Sequence, residues 1–184
     1  MLKIKSIIAN AIIILLIAIV LLTAYQAWHI RYNNILEVKP YEKTRLVVTP
    51  TPQTLTKETA KELVSDLYNT PHIYFEKDLK DGISGLAIPY LRLVFVDENL
   101  ISLHYFITTY AHELTHVKYQ VVNETFTAYK TFTTLYESGN AELKYHAMVY
   151  ANDVLRGAYR RGEYDCGYYI LEYLKERGEY EIKN

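Results

Sequence analysis

The sequence His-Glu-Leu-Thr-His at residues 112–116 constrains the fold of this chain more than any other feature. Apolar residues recur at helical spacing on both sides of it, which predicts a buried helix. Positions i and i+4 lie on one face of a helix, so His112 and His116 can reach the same ion. Zinc suits such ligands because it binds imidazole nitrogens and keeps a position open for water, from which Glu113 can take a proton. The alternative interpretation is two core histidines and a surface glutamate on an amphipathic helix.

Glu124 is the candidate for the third protein ligand that a catalytic zinc ion usually has. On a straight helix Glu124 would lie about 12 Å beyond His116, at 1.5 Å per residue, so the chain must turn between them. Two β-branched residues at positions 121–122 weaken a helix there, and Asn123 is a good N-cap for a new one. Glu124 then begins that helix and points at the metal. The alternative is a glutamate that only interacts favourably with the helix dipole.

Three other acidic residues lie further along the chain without a comparable local argument: Glu137, Glu142 and Asp153. We expect Glu137 and Glu142 to face solvent.

Composition excludes several classes of protein. The 184 residues carry a net charge of −1, which gives no electrostatic footprint for nucleic acid, so we expect no nucleic-acid partner. The single cysteine, Cys166, excludes an internal disulfide and a multi-cysteine zinc site, and we expect it to be a small core residue. Outside an N-terminal apolar segment, about 150 residues remain, enough for one domain with its own core.

The N-terminal segment, residues 7–24, is apolar apart from Asn10 and Thr23 and just long enough to cross a bilayer as a helix. Lysines precede it, and Tyr25 and Trp28 follow it where aromatic belts lie. We therefore expect a single-pass membrane protein with its N-terminus in the cytoplasm and the remainder outside. One alternative is a cleaved signal peptide, although no clean A-x-A site is visible. The other is a buried soluble helix, which the absence of a polar face disfavours.

The chain is predicted to have three regions: a membrane anchor at 1–32, an extended proline-containing linker at 33–54, and an α+β domain at 55–184. That domain is expected to be mostly helical with a small sheet. A helix near 56–69 begins after the N-cap Thr56, and β-forming residues predict a strand over 82–96. Pro89 places this strand at a sheet edge, since proline cannot donate to a ladder. Further helices are predicted from Glu124 to about 137, from Asn140 to about 160, and over about 163–177.

The pattern from His112 to Glu124 resembles the zincin superfamily of zinc metallopeptidases, in the gluzincin class, whose third ligand is a glutamate. More closely, about residues 55–150 look like a family of bacterial membrane-anchored zincin-like proteins without an assigned function. The stretches that carry this likeness are Gly85…Pro89-Tyr90, Thr109 to His116, Glu124…Ala128-Tyr129 and Ser138-Gly139-Asn140…Leu143-Lys144-Tyr145. The resemblance implies a zinc peptidase with a zincin-like fold.

A peptidase of this kind predicts further roles. Glu113 takes the proton of the attacking water and passes it to the leaving amine. The edge strand within 82–96 binds a peptide or protein substrate by strand addition, with little side-chain selectivity. A second electrophile is commonly needed for the oxyanion. The candidates are Tyr145, His146 and Tyr150, none of which is assigned, and His104 is expected to be structural.

Two other hypotheses come from different classes of protein. One is a membrane-anchored binding or sensor module that keeps a zincin-like fold without turnover. The other is a membrane-tethered helical interaction protein without metal. Metal content separates the last hypothesis from the first two, and loss of turnover in Glu113→Gln separates the first two from each other.

Overall fold

The computed structural model describes residues 12–25, 36–51, 53–80, 82–157, 166–178 and 182–183. The chain divides into two units, Met1–Asn33 and Asn34–Asn184. In the first unit, residues 12–25 form a helix (α1) whose large apolar side chains are exposed. None of the described helices combines the length and the apolar character that crossing a membrane requires. The predicted membrane segment extends outside the described residues, as do the lysines before it and Trp28 after it, so it stays a prediction.

The second unit is α+β, with five further helices and small sheets among its described residues, in agreement with a mostly helical domain. Its helices are α2 (Lys57–Tyr68), α3 (Leu103–Tyr119), α4 (Glu124–Tyr136), α5 (Ala141–Leu155) and α6 (Gly167–Arg177). Its strands are β1 (Arg45–Leu46), β2 (Ile73–Lys77), β3 (Gly85–Ile88), β4 (Leu93–Asp97) and β5 (Ile182–Lys183).

The three-stranded sheet has the order β2-β4-β3, with β2 parallel and β3 antiparallel to the central β4. We predicted one strand over 82–96, and this was wrong: a 3₁₀ turn at Pro89–Leu91 divides the stretch into β3 and β4. Arg92 closes that turn in the left-handed region, with φ 54°. The expectation that the region around Pro89 lies at a sheet edge is confirmed for β3, which precedes Pro89, and is wrong for β4, which is the central strand. Strand β2 was not predicted.

Helix α3 is the centre of the domain. Every residue from Phe106 to Val117 is buried except Thr109, because α3 contacts the sheet as well as α2, α4 and α5. The buried hydroxyl of Thr115, on α3, lies 2.8 Å from the Tyr68 hydroxyl of α2 and 3.1 Å from the Thr131 hydroxyl of α4. Buried polar groups of this kind need partners, and these hydrogen bonds tie the helices on either side to α3.

The stretch predicted as an extended linker, residues 33–54, instead packs against the domain where it is described. Leu46 is buried in the core, and the Tyr41 hydroxyl donates to the carbonyl of Val154 at 2.7 Å. Strand β1 pairs antiparallel with β5. Leu46 and the ring of Tyr41 remove apolar surface from water, which a solvated linker would leave exposed. Pro52 lies outside the described residues.

The helix ends agree with the predictions except near the C-terminus. Thr56 caps α2 as expected, and Gly178 ends α6 in the left-handed region. Helix α5 ends at Leu155 rather than near 160, and α6 begins at Gly167 rather than 163. Residues 158–165 lie outside the description. Cys166 is fully buried, which confirms its place in the core.

Candidate metal centre

The chain reverses its direction between α3 and α4, as the sequence predicted. Helix α3 ends at Tyr119, and Gln120 adopts the left-handed conformation with φ 52°. Asn123 then caps α4, because its side-chain oxygen accepts a hydrogen bond from the Phe126 amide at 2.6 Å. Glu124 is therefore the first residue of α4, at the end of a tight turn rather than one helix length away.

The side-chain amide of Gln120 fixes this turn to the neighbouring strand. Its Nε2 donates to the carbonyl of Val117 at 2.7 Å and to the carbonyl of Pro89 at 2.8 Å. The end of α3 and the end of β3 are thereby held together. These bonds help to hold Gln120 in the left-handed conformation, which is unfavourable for residues other than glycine.

Three ligand atoms converge beside this turn. Nε2 of His112 lies 2.9 Å from Oε2 of Glu124 and 3.1 Å from Nε2 of His116, and Oε2 of Glu124 lies 3.5 Å from Nε2 of His116. Ligands at the corners of a zinc tetrahedron lie about 3.3–3.6 Å apart, given bond lengths of about 2.0–2.2 Å. The longest side of the triangle has this length, and the two shorter sides, which meet at His112, would have to lengthen slightly around one ion. Among the described residues this triangle is the one such group of histidine, cysteine and acidic side chains.

The same turn also orients His116. Its Nδ1 lies 2.8 Å from the carbonyl oxygen of Val121, to which it donates. With the proton on Nδ1, the lone pair of Nε2 faces the other two ligand atoms. A backbone carbonyl on the second ring nitrogen is the usual support of a metal-binding histidine. This role of Val121 was not predicted; the position of Val121 in the turn is the feature of the sequence that indicates it.

Burial and mutual contacts shift the pKa values of the three residues in this cluster. The two histidines are each 7% exposed, whereas the Glu124 side chain is 31% exposed. Burial alone would raise the pKa of Glu124, but hydrogen bonds with His112 and His116 outweigh it and hold the pKa at about 2. Burial lowers the pKa of His112, which favours the neutral ring that metals bind. Burial also opposes protonation of His116, but the neighbouring Glu124 and Glu113 raise its pKa.

Glu113 lies beside the cluster and against the edge strand. It is 7% exposed, and burial raises the pKa of its carboxyl to about 7, while a hydrogen bond with the backbone of Ala87 acts in the opposite direction. A Cβ atom at Gly85 would lie 2.8 Å from Cγ and Oε1 of Glu113 and 2.6 Å from Cγ2 of Thr109. Gly85 is therefore required for the close approach of β3 to α3. Glycine inside a strand is a known sign of such close approach.

The remaining sequence candidates have other surroundings. His146 is fully buried, its Nδ1 is 3.3 Å from Nδ1 of His104, and its ring packs against Tyr145. No contact joins it to the ligand cluster in the described part of the chain. Tyr150 is buried as well. None of the three oxyanion candidates gains a role from these contacts.

The expectation that Glu142 faces solvent was wrong. Glu142 is buried, and its carboxylate accepts hydrogen bonds from the amides of Thr54 and Leu55 and from the Thr54 hydroxyl. It connects the start of α5 to the segment before α2. Glu137 is exposed as expected, and its carboxylate accepts hydrogen bonds from the Tyr173 hydroxyl and from the guanidinium of Arg177.

Comparisons of the chain with protein-family models, with curated proteins and with solved structures find no match.

Proposed function

We propose that this protein is a membrane-anchored zinc metallopeptidase with a zincin-like domain. His112, His116 and Glu124 are the metal ligands, Glu113 is the general base, and the substrate is a peptide or protein. The observation that carries the proposal is the convergence of three ligand atoms in a triangle close to the size that one ion requires, with a buried carboxylate beside it. Segment 7–24 is the proposed anchor, with the N-terminus in the cytoplasm and the catalytic domain outside.

The proposed chemistry assigns one task to each residue. His112, His116 and Glu124 would hold a zinc ion, which would supply a Lewis acid and lower the pKa of a bound water towards neutral pH. Glu113 accepts the proton of the attacking water and delivers it to the leaving amine. The backbone of Ala87 and the close packing of Gly85 hold the Glu113 carboxylate in place. An extended substrate adds to the open edge of β3, next to Glu113.

The alternative is a zincin-like binding or sensor module without turnover. Metal binding alone needs only the three ligands and their supports, such as the carbonyl of Val121. Glu113 is not one of the three residues whose ligand atoms converge. Its carboxyl is nevertheless buried, which disfavours the charged form. A general base needs an acidic side chain in such a place, whereas metal binding by three other residues does not, which favours the enzyme.

Metal content and turnover test the proposal together. The full chain is purified in lipid nanodiscs, its metal content is measured by mass spectrometry, and hydrolysis of an unstructured protein such as casein is followed. We expect one zinc ion per chain in the wild type and in Glu113→Gln, with turnover in Glu113→Gln lower by at least about 10²-fold. Replacing His112 with Ala should remove both the metal and the turnover.

Each other outcome selects a different function. A chain that takes up no zinc would leave the metal-free interaction protein as the remaining hypothesis. Zinc without any hydrolysis that depends on Glu113 would favour the binding module. The proposed orientation is tested separately, by reporters fused to the C-terminus, and a reporter that is active only in the cytoplasm would contradict it.

A further inference from the structure

The open edge of β3 carries backbone groups without a partner strand among the described residues. The Asp97 amide donates to the Ser84 carbonyl at 2.9 Å, and the register continues with Gly85 opposite Val96. In an antiparallel pair, residues that exchange hydrogen bonds alternate with residues whose backbone groups point away. Gly85 and Ala87 therefore direct their N–H and C=O groups away from β4, to the open edge, where the Ala87 N–H donates to the Glu113 carboxylate. These are the two residues of β3 that lie against Glu113.

The face of the sheet that points away from α3 carries apolar side chains on all three strands, and charged ones only at its end, Lys77 and Asp97. On β4, Val94 and Val96 are fully buried, so Leu93 and Phe95 lie on the outer face. The strand register extends these two positions into two apolar rows, Ile73–Leu93–Ile88 and Phe75–Phe95–Leu86.

Three side chains of these rows are largely exposed to solvent. Ile73 is 57% exposed, Phe75 42% and Leu86 50%. The rings of Phe75 and Phe95 stack with their centres 5.0 Å apart, which makes a flat surface. A contiguous exposed apolar patch on a folded domain marks a binding surface rather than chance, since scattered single residues are the normal case.

We propose that this outer face selects the substrate: an extended peptide with apolar side chains at two alternate positions, i and i+2. The inference rests on the proposed function, in which the substrate adds to β3. In an added strand, the residues opposite Leu86 and Ile88 lie on the same face of the sheet as those two side chains. Apolar substrate residues at these positions extend both rows and are removed from water, whereas polar substrate residues there gain no free energy of binding from burial. Leu86 and Ile88 are thus specificity-determining residues, in contrast to our expectation of little side-chain selectivity.

Peptide binding to a variant that cannot turn over tests this inference. The full-length Glu113→Gln protein in nanodiscs, loaded with zinc, is titrated with two fluorescent peptides of the same composition. One has leucines at positions i and i+2, and the other has them at i and i+1. Burial of one further leucine is worth about tenfold in affinity, so we expect the alternating peptide to bind about tenfold more tightly.

The preference for the alternating peptide must depend on the outer face of the sheet. Leu86→Ser should remove the preference for the alternating peptide. Leu91→Ser should not, since Leu91 is similarly exposed, at 53%, but lies in the 3₁₀ turn outside both rows. Equal binding of the two peptides, or an unchanged preference in Leu86→Ser, would overturn the inference. So would a dimer that Leu86→Ser converts to a monomer without changing peptide binding, because a second copy would then cover this face.

The two proposals fail in distinguishable ways. If the wild type hydrolyses peptides without any preference for alternation, only the specificity inference is lost. If the alternating preference is present but the wild type shows no turnover, the proposed enzymatic activity is lost while the recognition surface stands.

Discussion

Oε2 of Glu124 lies 2.9 Å from Nε2 of His112, although twelve positions separate the two residues in the chain. A helix continued through residue 124 would place the glutamate about 12 Å beyond His116. The contact exists because α3 ends at Tyr119 and α4 begins at Glu124. The convergence of the proposed ligands therefore depends on a reversal of the chain over four residues.

The first prediction concerns Glu124 itself. Replacing Glu124 with Ala removes one of three ligands, and we expect zinc affinity to fall by more than the 10–100-fold that loss of a supporting residue costs, that is, by over about 10²-fold. Competition with a chelator measures the affinity. Glu137→Ala is the matched control because Glu137 is exposed and bonded to surface groups. Equal affinities of the two variants would remove Glu124 from the ligand set.

The second prediction concerns the cap that positions Glu124. Asn123→Ala removes the acceptor for the Phe126 amide, and loss of an N-cap costs about 1 kcal/mol of the free energy of unfolding. We expect weaker zinc binding as well, since the start of α4 loosens. Asn140→Ala is the control, because Asn140 caps α5 in the same way through the amides of Glu142 and Leu143. It should cost similar stability, measured by urea unfolding, and leave zinc affinity unchanged.

The third prediction concerns Gly85. A methyl group in place of its hydrogen meets Glu113 and Thr109 at distances that real Cβ atoms do not adopt, so Gly85→Ala must displace the strand or the base. We expect turnover to fall by roughly 10–10²-fold, the cost of misplacing a catalytic group by about 1 Å. Zinc content should not change, because the atoms nearest to the added methyl group belong to Thr109 and Glu113 and not to a proposed ligand.

A double variant separates displacement from general instability. Thr109→Ser removes the Cγ2 atom that makes the closest contact with the added methyl group. Gly85→Ala combined with Thr109→Ser should therefore recover part of the turnover. Wild-type activity in Gly85→Ala alone would show that Glu113 does not need this packing.

The parts of the site that the sequence predicted are those specified by neighbouring residues. Helical spacing placed His112 and His116 on one face, and the weak helix before Asn123 indicated the turn. Both signals lie within a few residues of the feature they determine, and capping and propensity act over that range. The structure accordingly agrees with the bounds of this turn.

The parts that the sequence did not predict depend on distant contacts. Strand β2 pairs with β4 from twenty residues away, and a parallel pair needs a connection whose register no local pattern specifies. Glu142 carries an ordinary surface residue type, and its burial follows only from the approach of Thr54 and Leu55. The role of Gly85 likewise requires α3 and β3 to be placed together.

The last prediction concerns stability in acid and the pair His104 and His146, which pack between α3 and α5. Burial lowers the pKa of each ring to about 4. The charged groups that face the pair are Asp153, 3.9 Å from His104, and Glu142, which partly offsets the effect on His146. In the unfolded chain both histidines titrate near 6.5, so between pH 6.5 and 4 the unfolded state binds more protons than the folded state.

The free energy of unfolding should therefore be fully retained above pH 6.5 and fall as the pH decreases towards 4. Each pKa unit corresponds to about 1.4 kcal/mol, so the fully buried His146 accounts for a loss of about 2–3 kcal/mol. His146→Gln has no ring to protonate, and its stability should fall by that much less over the same range in urea unfolding experiments. Both proteins carry the same group of His112, His116 and Glu124, so the difference between them isolates His146. Parallel stability curves for the two proteins would show that protonation of His146 does not oppose folding.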